Sequence, residues 1–273
     1  MTLSESGEVP PGLNPAVPSV ARMYDYWLGG KDNFSADREA AEEVIRLVPG
    51  VRELARENRA FLRRAVEHLT KTGVRQFIDI GAGLPTRENT HEVAQRLAPD
   101  AKVVYVDNDP VVLAHARALL ANNPRTIAIE GDLREPKSIF DHPELLAHLD
   151  PELPTAALML SVLHFITSDR DALAVVAHVR DALPTGSHIV ITHIYAGDMP
   201  PAERAEGRAI YARTSTGPAA DRSLTCLTNF FTGTTLLDPG LVPVHDWRPD
   251  HPVPPRMDTA KPYVLGGVGT ITR

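Results

Sequence analysis

Residues 77–86 read FIDIGAGLPT: an apolar run that closes on an acid, followed by Gly81, Ala82 and Gly83. A glycine turn after a strand lets the backbone come close to a nucleotide-like ligand, because no Cβ holds it off. In the dinucleotide fingerprint a third glycine would fall at position 86, but the residue there is Thr86, preceded by Pro85. Which ligand tolerates that break depends on the sheet around it.

From Val74 onward, strands alternate with helices. The strands are 74–80, 102–106, 126–130, 156–162 and 188–193, with helical stretches near 89–98, 110–121, 137–148, 169–183 and 201–213. Near-continuous apolar strands, each followed by a helix, predict a parallel sheet covered on both faces. Right-handed crossovers then give a doubly wound α/β fold. LVPVHDW and YVLGGVG, near the C-terminus, add two strands, expected as an antiparallel pair at the sheet edge. The expectation is a mostly parallel seven-stranded sheet of Rossmann type.

Ahead of the sheet, residues 1–18 read as a mobile proline-rich tail and 19–73 as a helical cap. Residues 74–273 form the α/β domain, with cap and core as one compact unit. VARMYDYWLGG predicts a helix stopped at Gly29-Gly30. Ser35 is the expected N-cap of the next helix, and residues 51–73 form a third, with one apolar face. Asn58 lies on that face. A buried amide there needs partners in the glycine loop, the cofactor or a neighbouring helix.

The net charge of −7 argues against a nucleic-acid binder, which needs excess positive charge. Arg52, Arg56, Arg59 and Arg63 fall on one helical stripe among glutamates and read as a solvated face. The longest apolar stretch is short of the ~20 residues that span a bilayer. No export signal is visible, and the single cysteine, Cys226, excludes an internal disulfide. The expectation is a cytoplasmic protein.

Acids recur at the strand ends: Asp79 next to last in the first, Asp107 after the second, and Asp132 just past the third. Asp107 stands where an acid grips ribose hydroxyls. A dinucleotide would set its pyrophosphate on a helix end close above the turn, beside Asp79. Here Pro85 and Thr86 lengthen the loop, so the helix is expected nearer Asn89. S-adenosylmethionine fits better. It carries no phosphate, and its ammonium and sulfonium suit acidic neighbours.

The segment D-I-G-A-G, the acid of YVDNDP and the GDL at 131–133 resemble the successive motifs of class I S-adenosylmethionine-dependent methyltransferases. MYDYWLGGKDNF, ENRAFLRRAV and DIGAGLPT resemble a narrower bacterial subfamily, over nearly the whole chain. The resemblance implies that Asp79 holds the cofactor's amino group and that Gly81, Ala82 and Gly83 line its methionine part. It implies Asp107 on the ribose diol, Asn108 beside the adenine, and Asp132 and Leu133 on the adenine amino group and face. Ser161 would approach the methionine part from across the switch point.

Each residue also has a plainer reading. The glycines could be ordinary turn glycines, Asp107 a helix cap and Asp132 a turn former. In the front segment, Tyr24 and Asn33 are the candidate ligand contacts, while the aromatics there could equally anchor a cap. Its GGK is no phosphate loop, since the earlier glycine would fall at Asp25 and no strand precedes it.

Methyl transfer by in-line displacement needs alignment first, and a base only where the acceptor must lose a proton. His164, after the fourth strand, is the first candidate for base or orienting group, and His193 the second; either could cap a strand. No metal site is expected, because HEVAQ lacks the second histidine of the zinc-protease motif. The favoured function is methyl transfer to a small-molecule O, N or C acceptor. The rivals are an NAD(P)-dependent oxidoreductase and a non-catalytic S-adenosylmethionine-binding protein.

Overall fold

The computed structural model describes residues 14–86, 88–120, 122–251 and 263–272. The expected tail at 1–18 therefore falls largely outside the described residues. Its described end, Asn14–Pro18, is held by Arg22 donating to the Val17 carbonyl and Ser215 N–H donating to that of Pro18.

Five parallel strands form the centre: β1 (Gln76–Ile80), β2 (Lys102–Asp107), β3 (Thr126–Glu130), β4 (Thr155–Leu160) and β5 (His188–Tyr195). β6 (Thr234–Leu236), β7 (Val242–Pro243) and β8 (Tyr263–Ile271) complete a sheet ordered β3-β2-β1-β4-β5-β8-β6, with β7 also paired to β8. The strand order reverses between β1 and β4, and the crevice beyond their carboxyl ends is where such sheets bind ligands. Phe77 faces one apolar cluster while Ile78 and Ile80 face the other, so β1 is covered on both sides.

The doubly wound α/β class is as expected, with differences at its edge. The sheet has eight strands among the described residues, not seven. LVPVHDW contributes only the two residues of β7 before a 3-10 turn at Val244–Asp246. β8 is not at the edge: it lies antiparallel to β5 on one side and to β6 on the other.

The first helices are α1 (Val20–Trp27), α2 (Ser35–Leu47) and α3 (Val51–Lys71). Ser35 is the first helical residue of α2 and not its cap. The capping group is Asp37, whose carboxylate accepts from Phe34 N–H at 2.7 Å and is paired with the buried Arg22. Met23 and Trp27 of α1 pack with Ala40, Ala41 and Val44 of α2, Ala55 of α3 and Ile210. The rest of α3 lies on the sheet through Phe61, Leu62, Ala65, Val66 and Leu69. Each large side chain buried in this way contributes ~1.5–3 kcal/mol.

α4 (Thr90–Leu97), α5 (Pro110–Leu120) and α8 (Asp169–Asp181) cover the faces of the parallel strands. The single helix expected at 137–148 is two, α6 (Pro136–Phe140) and α7 (Pro143–His148). Pro143 can only start a helix, and the His142 side chain caps the second one. α9 (Pro201–Ala212) and α10 (Leu224–Asn229) lie between β5 and β6. No helix among the described residues is long and apolar enough to cross a membrane.

Candidate active site

The glycine turn leaves β1 at the switch point. Gly81 (φ 73°) and Gly83 (φ 66°) are both left-handed, a conformation that costs a residue with a Cβ. The two differ in surroundings. A Cβ at Gly81 would stand 2.7 Å from Val162 Cγ2, whereas one at Gly83 would meet nothing within 4 Å. Gly81 is tied to packing, and Gly83 fronts open space. The lengthened loop ends where it was expected: Asn89 caps α4, and its amide bonds both the carbonyl and the N–H of Thr86.

Above this turn lies a cleft of about 150 Å³ bordered by Tyr24, Arg59, Asp79, Gly83, Asp107 and Ser161. It continues into a smaller recess of about 60 Å³ beside Asn108, Asp132, Leu133 and Arg134. Gly81 borders both volumes, and Ala82 borders the first. The three acids at the strand ends thus lie along one connected crevice.

Their charges are managed separately. Asp79 is buried and accepts from Thr90 Oγ1 at 2.7 Å. Burial raises its pKa, against the hydrogen bond from Thr90 and the charge of Arg59. Asp107 accepts backbone N–H groups from Gly83 and Asp109, each at 2.9 Å. Burial nevertheless pushes it up to about 6. Asp132 is clasped by Arg134, which holds it below the usual carboxylate range, and Asn108 Nδ2 donates to it at 3.2 Å.

Sequence reasoning missed both arginines of this crevice. Arg134 stands two positions from Asp132, a spacing with no distinctive pattern. Arg59 belongs to the stripe read as solvated, yet it borders the cleft beside Asp79, while Arg52 and Arg56 stay exposed. Its place next to Asn58, on the margin of the apolar face, was the available signal. The acids of the crevice are thus accompanied by arginines at both ends.

A second chamber, also about 150 Å³, adjoins the cleft and shares Val20, Tyr24, Asn58 and Ser161 with it. Ser161 follows β4 with φ 53°, unusual for a residue with a Cβ. Asn58 Nδ2 donates to the Tyr24 hydroxyl at 3.1 Å and to Ser161 Oγ at 3.2 Å. These three side chains form the partition between the two volumes.

His164 is buried on the wall of the second chamber. Burial, then the neighbouring His193 and Arg222, lower its pKa well below the ordinary value, so the imidazole is neutral. His193 borders neither volume. Its Nδ1–H donates to the Ile194 carbonyl at 2.6 Å and its Nε2 accepts from buried Arg222 at 2.9 Å, so both ring nitrogens are engaged. Asn33 is likewise turned away from the cleft, with Nδ2 donating to Asp25 Oδ2 at 2.9 Å. Asp25 organises the Gly-Gly turn and borders the cleft itself; a Cβ at Gly30 would collide with its carboxylate.

A doubly wound sheet with a crevice at the β1/β4 reversal, beneath an N-terminal helical layer, is the class I methyltransferase architecture. The sequence places the protein within that class: the chain belongs to the S-adenosyl methyltransferase family, whose model matches residues 6–272. Its cofactor is S-adenosylmethionine. The crystal structure of a candidate methyltransferase from Thermobifida fusca YX is similar at 40% identity and a TM-score of 0.88, covering 98% of this chain and 100% of that one. A DUF574 family protein from Streptomyces avermitilis MA-4680 is 39% identical with a TM-score of 0.86, covering 94% and 98%. The N-methyltransferase NodS of Bradyrhizobium japonicum WM9, in complex with S-adenosyl-L-homocysteine, shares the fold at 13% identity and a TM-score of 0.51, covering 92% and 100%. Among curated proteins none matches.

The crevice suits this cofactor. Asp107 keeps acceptor capacity for a ribose diol, the Asn108–Leu133 recess offers polar and apolar sides to a base, and Asp79 with Arg59 offers both signs of charge to an amino acid.

Proposed function

We propose that the protein transfers a methyl group from S-adenosylmethionine to a small-molecule acceptor held in the second chamber. The observation that carries this reading is the partition of Tyr24, Asn58 and Ser161, across which an acceptor atom can face the cofactor cleft. S-adenosylmethionine supplies, when bound, an electrophilic methyl on a sulfonium sulfur; the protein's task is alignment and exclusion of water.

In this reading Asp107 binds the ribose hydroxyls, and Asn108, Asp132 and Leu133 receive the adenine. Gly81, Ala82 and Gly83 pass beneath the methionine part, and Ser161 meets it from the side of β4. Asp79 and Arg59 take its ammonium and carboxylate respectively. Tyr24 closes the cleft from the helical layer, with Asn33 supporting that layer through Asp25. His164 orients the acceptor, and His193 fixes the wall behind it. The acid balance of the chain and the size of the chamber favour a small molecule over a nucleic acid. The single cysteine fits a reducing bacterial cytoplasm.

Two measurements test the reading. S-adenosylmethionine, and not a nicotinamide dinucleotide, should protect the protein against thermal unfolding. Incubation with fractionated metabolites should then release S-adenosylhomocysteine. Protection without turnover on any fraction would favour a binding protein instead.

A further inference from the structure

The second chamber also carries information about what receives the methyl group, an inference that rests on the methyltransferase reading above. Its volume, about 150 Å³, matches an engineered apolar cavity that stays dry and takes up benzene. One ring fills such a space.

Its walls are apolar, built from Trp27, Val44, Leu54, Ile194, Tyr211 and Val264 among others. Charged groups border it on one side only. There Arg204 and Arg208 both bond Asp221, at 2.9 and 3.1 Å, and Glu203 is exposed on the same helix. Two cations stand against two anions, so the mouth has no net charge. An ammonium group would be desolvated with no carboxylate inside to receive it, and a carboxylate would meet guanidiniums already engaged.

The polar groups lie at the inner end. The Tyr24 hydroxyl gives its hydrogen to the Ala55 carbonyl at 3.0 Å and so accepts from Asn58 Nδ2. That direction fixes the amide with its nitrogen toward Tyr24 and Ser161, and leaves Asn58 Oδ1 buried with no donor. An amide oxygen in that state is costly until something donates to it. His164 Nδ1, on the wall of the same chamber, is also buried without a partner.

We propose that the chamber binds an uncharged hydroxyl compound about one ring in size, its O–H donated to Asn58 Oδ1 and its oxygen turned toward the cofactor cleft between Tyr24 and Ser161. The hydroxyl oxygen bonds to the methyl carbon as the carbon–sulfur bond breaks. The bonding pair stays on sulfur, giving a neutral thioether. The new bond makes the hydroxyl proton strongly acidic, so no strong base is needed and the proton passes to water at the open side of the chamber.

The test is calorimetric or saturation-transfer binding of phenol, cyclohexanol, 2-naphthol, benzoate and benzylammonium to the full chain saturated with S-adenosylhomocysteine. Phenol and cyclohexanol should bind about tenfold or more tighter than either ion, with the two-ring 2-naphthol weaker than phenol. Ala219→Trp or Val51→Trp, each at a residue that lines the chamber and not the cleft, should abolish phenol binding and leave the S-adenosylhomocysteine titration unchanged. Asn58→Ala should weaken phenol more than it weakens S-adenosylhomocysteine. The proposal is overturned if no phenol binding is seen at millimolar concentration, if the ions bind as well, if phenol binding survives both filling variants, or if Asn58→Ala weakens S-adenosylhomocysteine as much as phenol. Failure of the wild-type protein to bind S-adenosylhomocysteine would instead sink the methyltransferase reading, and phenol titrations without it still decide the chamber.

Discussion

Asn58 Nδ2 lies 3.2 Å from Ser161 Oγ, joining α3 to the residue that leaves β4, 103 positions further along the chain. Ser161 holds φ 53° there, a left-handed conformation that costs a residue with a Cβ about 1–2 kcal/mol. Backbone strain of this kind is found where a side chain must be presented at a site. Ser161→Gly loses the hydroxyl contacts but relieves the backbone, whereas Ser161→Ala loses the same contacts and keeps the strain. In urea denaturation the alanine variant should therefore be the less stable of the two, by about 1 kcal/mol.

The two left-handed glycines of the turn should separate stability from binding. Gly81→Ala brings a Cβ within 2.7 Å of Val162 and should cost roughly 2–4 kcal/mol from overpacking and strain together. Gly83→Ala has only the conformational cost of about 1–2 kcal/mol, but its Cβ enters the space in front of the turn. Unfolding curves should rank Gly81→Ala as the more damaging change. Titration of the folded Gly83→Ala protein should show a clear loss of S-adenosylhomocysteine affinity.

Asp107 gives a pH dependence with a definite sign. Its pKa in the free protein is about 6, raised from an ordinary 3.8, so the native state favours the protonated acid. That contribution to stability is complete below pH 4 and is lost as pH rises through 6, on the order of 3 kcal/mol in all. A ribose diol donating to the carboxylate favours the ionised form. S-adenosylhomocysteine affinity should rise from pH 5 to 7 and then level off, and Asp107→Asn should flatten the profile.

Arg222 is the keystone of the wall behind the chamber. It donates to the Leu163 and Ile166 carbonyls and to His193 Nε2, and pairs with Asp169. Removing it leaves those buried acceptors unpaired, and Arg222→Ala should lose about 3–5 kcal/mol in denaturant unfolding. His193 is held neutral by burial, its pKa lowered to about 4. The unfolded chain therefore binds a proton that the native one refuses, so this histidine makes stability fall as pH drops from 6.5 toward 4. His193→Gln should lessen that acid sensitivity.

The parallel strands were legible because burial on both faces makes each a near-continuous apolar run, as in Phe77–Ile80 and Val103–Val106. β6 was not, because Thr234 and Thr235 leave a three-residue strand with one apolar member, and its place is set by pairing to β8. The glycine turn and the acids at the ends of β1, β2 and β3 follow from local spacing, and the crevice brings them together. Arg134 and Arg59 were hidden for a different reason: a charged residue beside an acid, or in a stripe of charges, looks the same whether it faces water or a cleft. The second chamber has no linear signal at all. Its walls come from α1, α2, α3, β5, α9 and the 219–221 segment, and only folding assembles them.

The central claim is that the crevice along Asp79, Asp107 and Asp132 is the cofactor site, and isothermal titration of S-adenosylhomocysteine into wild-type and Asp107→Ala protein at pH 7.5 tests it most directly. The wild-type protein should bind, and the variant, still folded, should bind about tenfold or more weaker, at least 1.4 kcal/mol. Equal affinity for the two proteins would contradict the account.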